Sequence, residues 1–188
     1  MIVIFDGPQL AGKTTLLKEV CRKKPGLVIK FPFTQVVKDF SLTNVDTLKG
    51  LQLGKDFGMF EVLANLENLK GNVYLDRGVL SSAYYSLTQK RMSILEVSTF
   101  ISRIKEKLLN SQNMIKLVWV HPIGQREITR DKRDGFDGLD SIEPETLAES
   151  FLCQKAEDEF GDRFIAFEND FEVPLKETVE GLIKKLKL

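Results

Sequence analysis

Five short apolar runs punctuate the chain: Ile2-Val3-Ile4-Phe5, Leu27-Val28-Ile29-Lys30-Phe31, Asn72-Val73-Tyr74-Leu75, Met114 to Val120, and Arg163 to Phe167. The first is continuous and mostly β-branched, as expected of a strand buried on both faces. Longer stretches with helical spacing separate the runs. Leu16 to Lys24 continues a helix that begins near Lys13, and Pro25-Gly26 stops it. Residues 35–70 read as helical with a break at Ser41 to Asn44; Leu48, Leu51, Phe57, Phe60, Leu63, Leu66 and Leu69 form the apolar stripe. Ile94 to Leu109, Pro144 to Phe160 and Val173 to Leu186 are the later helices. Strands alternating with helices predict an α/β fold with a five-stranded parallel sheet flanked by helices. With no shift in composition, no repeat and no low-complexity tract, residues 1–188 read as a single domain.

The first turn carries the strongest chemical signal. Asp6 closes the first strand, and Gly7-Pro8-Gln9-Leu10-Ala11-Gly12-Lys13-Thr14 fits G-x-x-x-x-G-K-[ST], the Walker A or P-loop pattern, with Thr15 following. Glycines let the backbone turn tightly and aim N–H groups at phosphate oxygens. The helix behind them adds the positive end of its dipole. In such a loop Lys13 reaches the β- and γ-phosphates, and the Thr14 hydroxyl can ligate Mg²⁺. Strand before and helix after supply the context that the pattern requires.

A second signal closes the third strand, where Asp76-Arg77 follows Val73-Tyr74-Leu75. A carboxylate there can hold Mg²⁺ directly or through water, and the Arg77 fork can clamp a phosphate or the acceptor. Ligands of parallel sheets bind beyond the carboxyl ends of strands. Lys30, Phe31, Phe33 and Thr34 lie at such an end and offer an aromatic wall for an acceptor, or simply core. Ser81, Ser82, Tyr84 and Tyr85 open the next helix, where a hydroxyl or ring can face the acceptor. Asp56-Phe57-Gly58 spells a protein-kinase metal motif but lacks the companion loops and falls inside an amphipathic helix. His121, the single histidine, is read as structural.

Between Gln125 and Asp140, Arg126, Arg130 and Arg133 stand at i, i+4 and i+7. On a helix they share one face. They form either a solvated, salt-bridged surface or a lid, at about residues 122–142, that brings arginines onto a transferring phosphoryl group. Gly135 and Gly138 flank its far end. Glu168-Asn169-Asp170 follow the fifth strand, where a nucleotide base can rest.

Composition narrows the setting. Lys+Arg and Asp+Glu both number 27, so no excess of positive charge argues for non-specific nucleic-acid binding. Cys21 and Cys153 match neither a disulfide framework nor a zinc pattern. No apolar run reaches membrane-spanning length, and the first run lacks the basic flank of a signal peptide. A cytoplasmic protein with no membrane partner is expected.

The order Ile2-Val3-Ile4-Phe5-Asp6-Gly7, Ala11-Gly12-Lys13-Thr14-Thr15, Asp76-Arg77 and Ser82-Ala83-Tyr84, then Leu139 to Glu143 after an arginine-rich stretch, resembles the thymidylate kinase group of P-loop nucleoside and nucleotide kinases. The resemblance implies the P-loop NTPase fold, ATP as donor, Mg²⁺ as cofactor, an arginine-rich lid and a homodimer. It also marks departures. Gln9 stands where that group carries an acid touching the sugar. Phe31-Pro32-Phe33-Thr34 lacks the arginine that holds the acceptor phosphate. The base-reading aromatic and arginine fall on Leu53 and Phe57.

The expectation is therefore phosphoryl transfer from ATP to a nucleoside or nucleotide. Gly7 to Thr15 and Arg126 grip the donor, and Thr14 and Asp76 hold the metal. Lys13, Asp6, Asp76, Arg77, Arg130 and Arg133 serve the transfer; Gln9, Phe31, Phe33, Phe57, Arg77 and Tyr84 line the acceptor. A nucleic-acid end, or a hydroxymethylated base in DNA, is the alternative acceptor. A nucleotide-binding protein without acceptor chemistry is the non-enzymatic alternative.

Overall fold

A computed structural model describes residues 1–30, 45–67, 69–123 and 142–188, with side chains over 1–30, 54–67, 69–123 and 145–188. Five parallel strands form one sheet in the order β2-β3-β1-β4-β5. They are β1 (Ile2–Asp6), β2 (Gly26–Ile29), β3 (Asn72–Asp76), β4 (Ile115–Ile123) and β5 (Phe164–Asp170). The described helices are α1 (Lys13–Lys23), α2 (Val45–Ala64), α3 (Val79–Thr88), α4 (Ile94–Asn110), α5 (Ile142–Phe160) and α6 (Leu175–Leu186).

β1 is central and buried along its whole length. Its side chains alternate between two cores, which explains why its sequence reads as an unbroken apolar run. Ile2 and Ile4 join Phe60 and Leu63 of α2, Leu80 of α3, Ile101 of α4 and Leu152 of α5. Val3 and Phe5 join Leu16 and Val20 of α1 and Val179 and Leu182 of α6. The helix after β1 thus covers one face and the helix after β3 the other. Their departure in opposite directions opens a crevice between two neighbouring strands, where ligands of such sheets bind.

Several boundaries differ from the sequence expectation. β4 does not stop at Val120 but runs through His121 and Pro122. β1 ends opposite Trp119, so these residues pair only with β5. Proline, which has no N–H to donate, is tolerated on that free edge. The longer β4 gives Glu168, Asn169 and Asp170 strand partners, so they close β5 rather than follow it. β2 starts at Gly26 and ends at Ile29, one residue short of Lys30.

The helix expected to reach residue 70 ends at Ala64. Side chains beyond α4 capture the carbonyls there: Ser111 Oγ donates to Ala64 O at 2.9 Å and Asn113 Nδ2 to Leu66 O at 2.6 Å. α5 begins two residues before Pro144, which its first turn tolerates. α6 begins after Pro174 rather than at Val173. Residues 31–44 and 124–141 lie outside the described residues, and with them Phe31, Phe33, Arg126, Arg130, Arg133 and nearly all of the expected lid. Among the described residues no helix is long and apolar enough to cross a membrane.

Phe60 is fully buried where α2 meets the sheet. Phe60→Ala is expected to lower unfolding free energy by about 3–5 kcal/mol, the usual cost of an aromatic-sized cavity. Urea unfolding followed by circular dichroism checks this.

Candidate active site

The loop from Gly7 to Gly12 joins β1 to α1 beside the carboxyl ends of β3 and β4. Two glycines are required by geometry. Gly7 has φ +137°, and a Cβ there would stand 2.4 Å from the backbone oxygen of Val120. Gly12 has φ +81° at the N-cap of α1, where a Cβ would stand 2.4 Å from Asn169 Nδ2. The loop therefore rests against β4 and β5 with no room for side chains at either point. Leu10 is left-handed at φ 58°, a strained conformation for a residue with a Cβ.

Lys13 folds back into this loop. Its Nζ donates to Gly7 O at 2.9 Å and also to Pro8 O, and the residue is 5% exposed. Burial lowers its pKa from 10.5 to about 8; the nearby Arg77 charge adds to the drop, while Asp6 and Asp76 oppose it. Its hydrogen bonds go to carbonyl dipoles, and an anion in the loop would answer the charge directly.

β3 delivers the opposing half. The register places Asp76 beside Phe5, at the end of β1. Thr14 Oγ1, in the first turn of α1, donates to Asp76 Oδ2 at 2.8 Å. Lys30 Nζ lies 3.8 Å from the same oxygen, on a largely exposed side chain. Arg77 adopts φ 73° while its N–H donates to Phe5 O at 3.0 Å. Such a conformation costs on the order of 1–3 kcal/mol, and the β1–β3 pairing holds it in place.

Asp6 is completely buried and faces the start of α3. Its Oδ1 accepts from Gly78 N at 2.8 Å and Ser81 N at 2.9 Å, so it serves the open amides of that helix. Burial raises its pKa, the hydrogen bonds from Ser81 and Gly78 pull it down, and the Asp56 charge raises it further. Its Oδ2 has no hydrogen-bond partner among the described residues. Ser81 Oγ in turn accepts from Gly7 N at 3.2 Å, tying the loop to α3.

Beside the loop, Gly12, Thr15 and Leu16 of one wall and Asn169, Asp170 and Phe171 of the other enclose a cleft of about 210 Å³. Asn169 is buried, and its Nδ2 donates to Ala11 O at 2.8 Å. The end of β5 thus both braces the loop and lines a space that a flat ring could enter.

The structure brings together Asp6, the loop, Lys13, Thr14, Asp76 and Arg77. Phe57 packs against Phe100, ring centroids 5.7 Å apart, and is half-buried on the core. Tyr84 is buried with its ring edge-on to Trp119 at 5.5 Å. The side chain of Leu53 lies outside the described residues. Asp56, which the sequence reading passed over, is 1% exposed, accepts from Ser82 Oγ and pairs with Lys55. The signal was available: Asp56 stands four before Phe60 and seven before Leu63, an acid on the apolar stripe. His121 Nδ1 lies 2.8 Å from Glu149, which also accepts from Trp119 Nε1 at 2.6 Å, a bridge between β4 and α5.

The Lys13 shift has a consequence for stability. Between about pH 8 and 10.5 the unfolded chain holds this proton more firmly than the folded one, so stability from this group rises with pH across that window. Below it the cost of the buried ammonium is present in full. Lys13→Met is expected to melt at a higher temperature than the wild type at pH 7, with the difference narrowing from pH 8 to 10. Thermal melts over that pH series check this, and a constant difference would refute it.

No family model and no curated protein sequence matches the chain. Solved structures do. The chain is similar to deoxyadenosine kinase from M. mycoides with bound dATP at TM-score 0.58 and 21% identity, covering 100% of each chain. It is similar to thymidylate kinase from Candida albicans at TM-score 0.58 and 16% identity, covering 99% of this chain and 92% of that one. YorR from Bacillus subtilis, in complex with phosphorylated GDP, matches at TM-score 0.55 and 16% identity over 100% and 96%. Strand order, loop and helix placement together make this the fold of the thymidylate-kinase-like P-loop kinases.

Proposed function

We propose that the protein is an ATP- and Mg²⁺-dependent phosphotransferase of the cytoplasm acting on a nucleoside or nucleotide. The observation that carries this is the Thr14–Asp76 hydrogen bond. It joins the phosphate loop to the strand end that presents Arg77, so donor and acceptor elements share one crevice. The likeness to nucleoside and nucleotide kinases over the whole chain supports it.

Each part has a task. The amides from Gly7 to Thr15 receive the phosphates, and Lys13 exchanges carbonyl partners for phosphate oxygens. The Thr14 hydroxyl and Asp76 carboxylate are hard oxygen donors that would hold Mg²⁺. When bound, the ion neutralises phosphate charge. The cleft beside Asn169 and Phe171 takes the donor base. Arg77 orients the acceptor, and the arginines at 126, 130 and 133 complete the charge around the γ-phosphoryl group. Asp6 contributes by holding the amides of α3, which fixes where Arg77 stands. Catalysis of this kind is positioning plus electrostatics, with little covalent work for the protein.

Incubation with γ-labelled ATP and parallel panels of nucleosides, nucleoside monophosphates and oligonucleotides tests the reading. Label is expected on a nucleoside or monophosphate. Label only on oligonucleotides would make the protein a nucleic-acid kinase. ATP binding with no labelled acceptor would leave a nucleotide-binding protein. Lys13→Ala is expected to reduce turnover by at least ~10²-fold with the fold intact, as for loss of one oriented charge donor.

A further inference from the structure

β4 and β5 overhang the central strand. β1 ends at Asp6, opposite Trp119, while the β4–β5 ladder continues through His121 with Glu168, Pro122 with Asn169 and Ile123 with Asp170. The overhang carries Asn169 to the level of the phosphate loop. Asn169 is 4% exposed, and its Nδ2 donates to Ala11 O at 2.8 Å. A carbonyl only accepts, so the amide nitrogen and not Oδ1 has to face it. The same nitrogen occupies the space that a Cβ on Gly12 would need, 2.4 Å away. One buried side chain thus lies against both residues of the Ala11–Gly12 peptide.

That peptide decides which polar group the loop presents. It is trans, so the Ala11 carbonyl and the Gly12 N–H point in opposite directions. With Ala11 O drawn onto β5, the Gly12 N–H is turned away from β5. The backbone alone does not enforce this. Turning the peptide over changes ψ of Ala11 and φ of Gly12, and glycine takes either sign of φ with about equal ease. Gly12 stands at φ +81°. A flip would replace an N–H donor by a carbonyl acceptor, and phosphate oxygens repel a carbonyl. It would also leave the buried Asn169 amide without its acceptor, and an unpaired buried donor is costly.

We propose that Asn169 is a positioning residue: by holding Ala11 O against β5 it locks the Ala11–Gly12 peptide in the orientation that presents the Gly12 N–H to the donor's phosphates. The proposal rests on the phosphate-loop part of the phosphotransferase reading and is independent of the acceptor. Asn169 itself touches no phosphate in this role and acts through the loop.

Inorganic tripolyphosphate carries phosphates and no base, so it reads the loop without the neighbouring cleft. Its binding in the presence of Mg²⁺ is measured by calorimetry, well below the melting transition, for wild type, Asn169→Asp and Asn169→Leu, with adenosine and ATP in parallel. Asp keeps the shape but sets an acceptor against Ala11 O. Leu removes the donor without adding charge. Both variants are expected to bind tripolyphosphate at least ~10-fold more weakly, the scale of one hydrogen bond to a charged group. In ¹⁵N-labelled wild type, the Gly12 amide proton is expected to move downfield when tripolyphosphate is added. Wild-type affinity for tripolyphosphate in Asn169→Leu overturns the proposal, and with a lowered melting temperature it marks a merely structural amide. A loss confined to adenosine also overturns it, as the mark of a base contact. So does a Gly12 amide that stays in place while those of Lys13 and Thr14 shift, a result that needs no variant to fold. A wild type that binds neither ATP nor tripolyphosphate removes the proposal together with the phosphate-loop reading. A wild type that binds both, matched by Asn169→Leu, removes the proposal alone.

Discussion

The register of β1 against β3 constrains every part of the site. Phe5 stands opposite Asp76, so the strand that ends in the phosphate loop and the strand that ends in Asp76-Arg77 stop at one level. A one-residue slip would turn Asp76 to the other face and put Leu75 or Arg77 in its place. The slip is opposed by both cores at once, because Ile4 and Phe5 are buried on opposite faces of β1. Packing on two faces thus sets the distance between a hydroxyl on α1 and a carboxylate on β3.

Charge burial follows from that closure. Lys13, Asp6 and Asp56 are each nearly or fully buried, and none is there for packing. Asp6 is matched to the amides of α3, and Lys13 is matched only to loop carbonyls. Burial of the ammonium, with the Arg77 charge nearby, is why its pKa falls. The loop therefore holds a charge in a poor solvent, and a neighbouring anion would stabilise it.

Much of this was readable in the sequence. The apolar runs located all five strands: β1, buried on both faces, leaves a period-free signature, while the mostly exposed β2 was found from its short apolar run alone. The loop pattern located Lys13 and Thr14, because only glycine can hold the backbone at Gly7 against Val120. What escaped depends on neighbours distant in the chain. The extension of β4 through Pro122 needs β5 alongside and β1 already ended. The end of α2 at Ala64 needs Ser111 and Asn113. Tyr84 and Phe57 carry chemistry that suits a ligand, yet their rings are turned to Trp119 and Phe100. Helical spacing says which residues share a face, and only tertiary contact says which face meets the crevice.

Asp56 shows the same limit from the other side. Its position on the apolar stripe of α2 makes it a poor choice for stability. Breaking a buried ion pair is costly, but replacing it whole by apolar side chains of similar volume is often neutral or favourable. A leucine there would continue the stripe of Phe60 and Leu63 and need no partners. Holding an acid in that place, with Lys55 beside it and Ser82 turned toward it, demands three polar groups in agreement. Packing does not account for that arrangement.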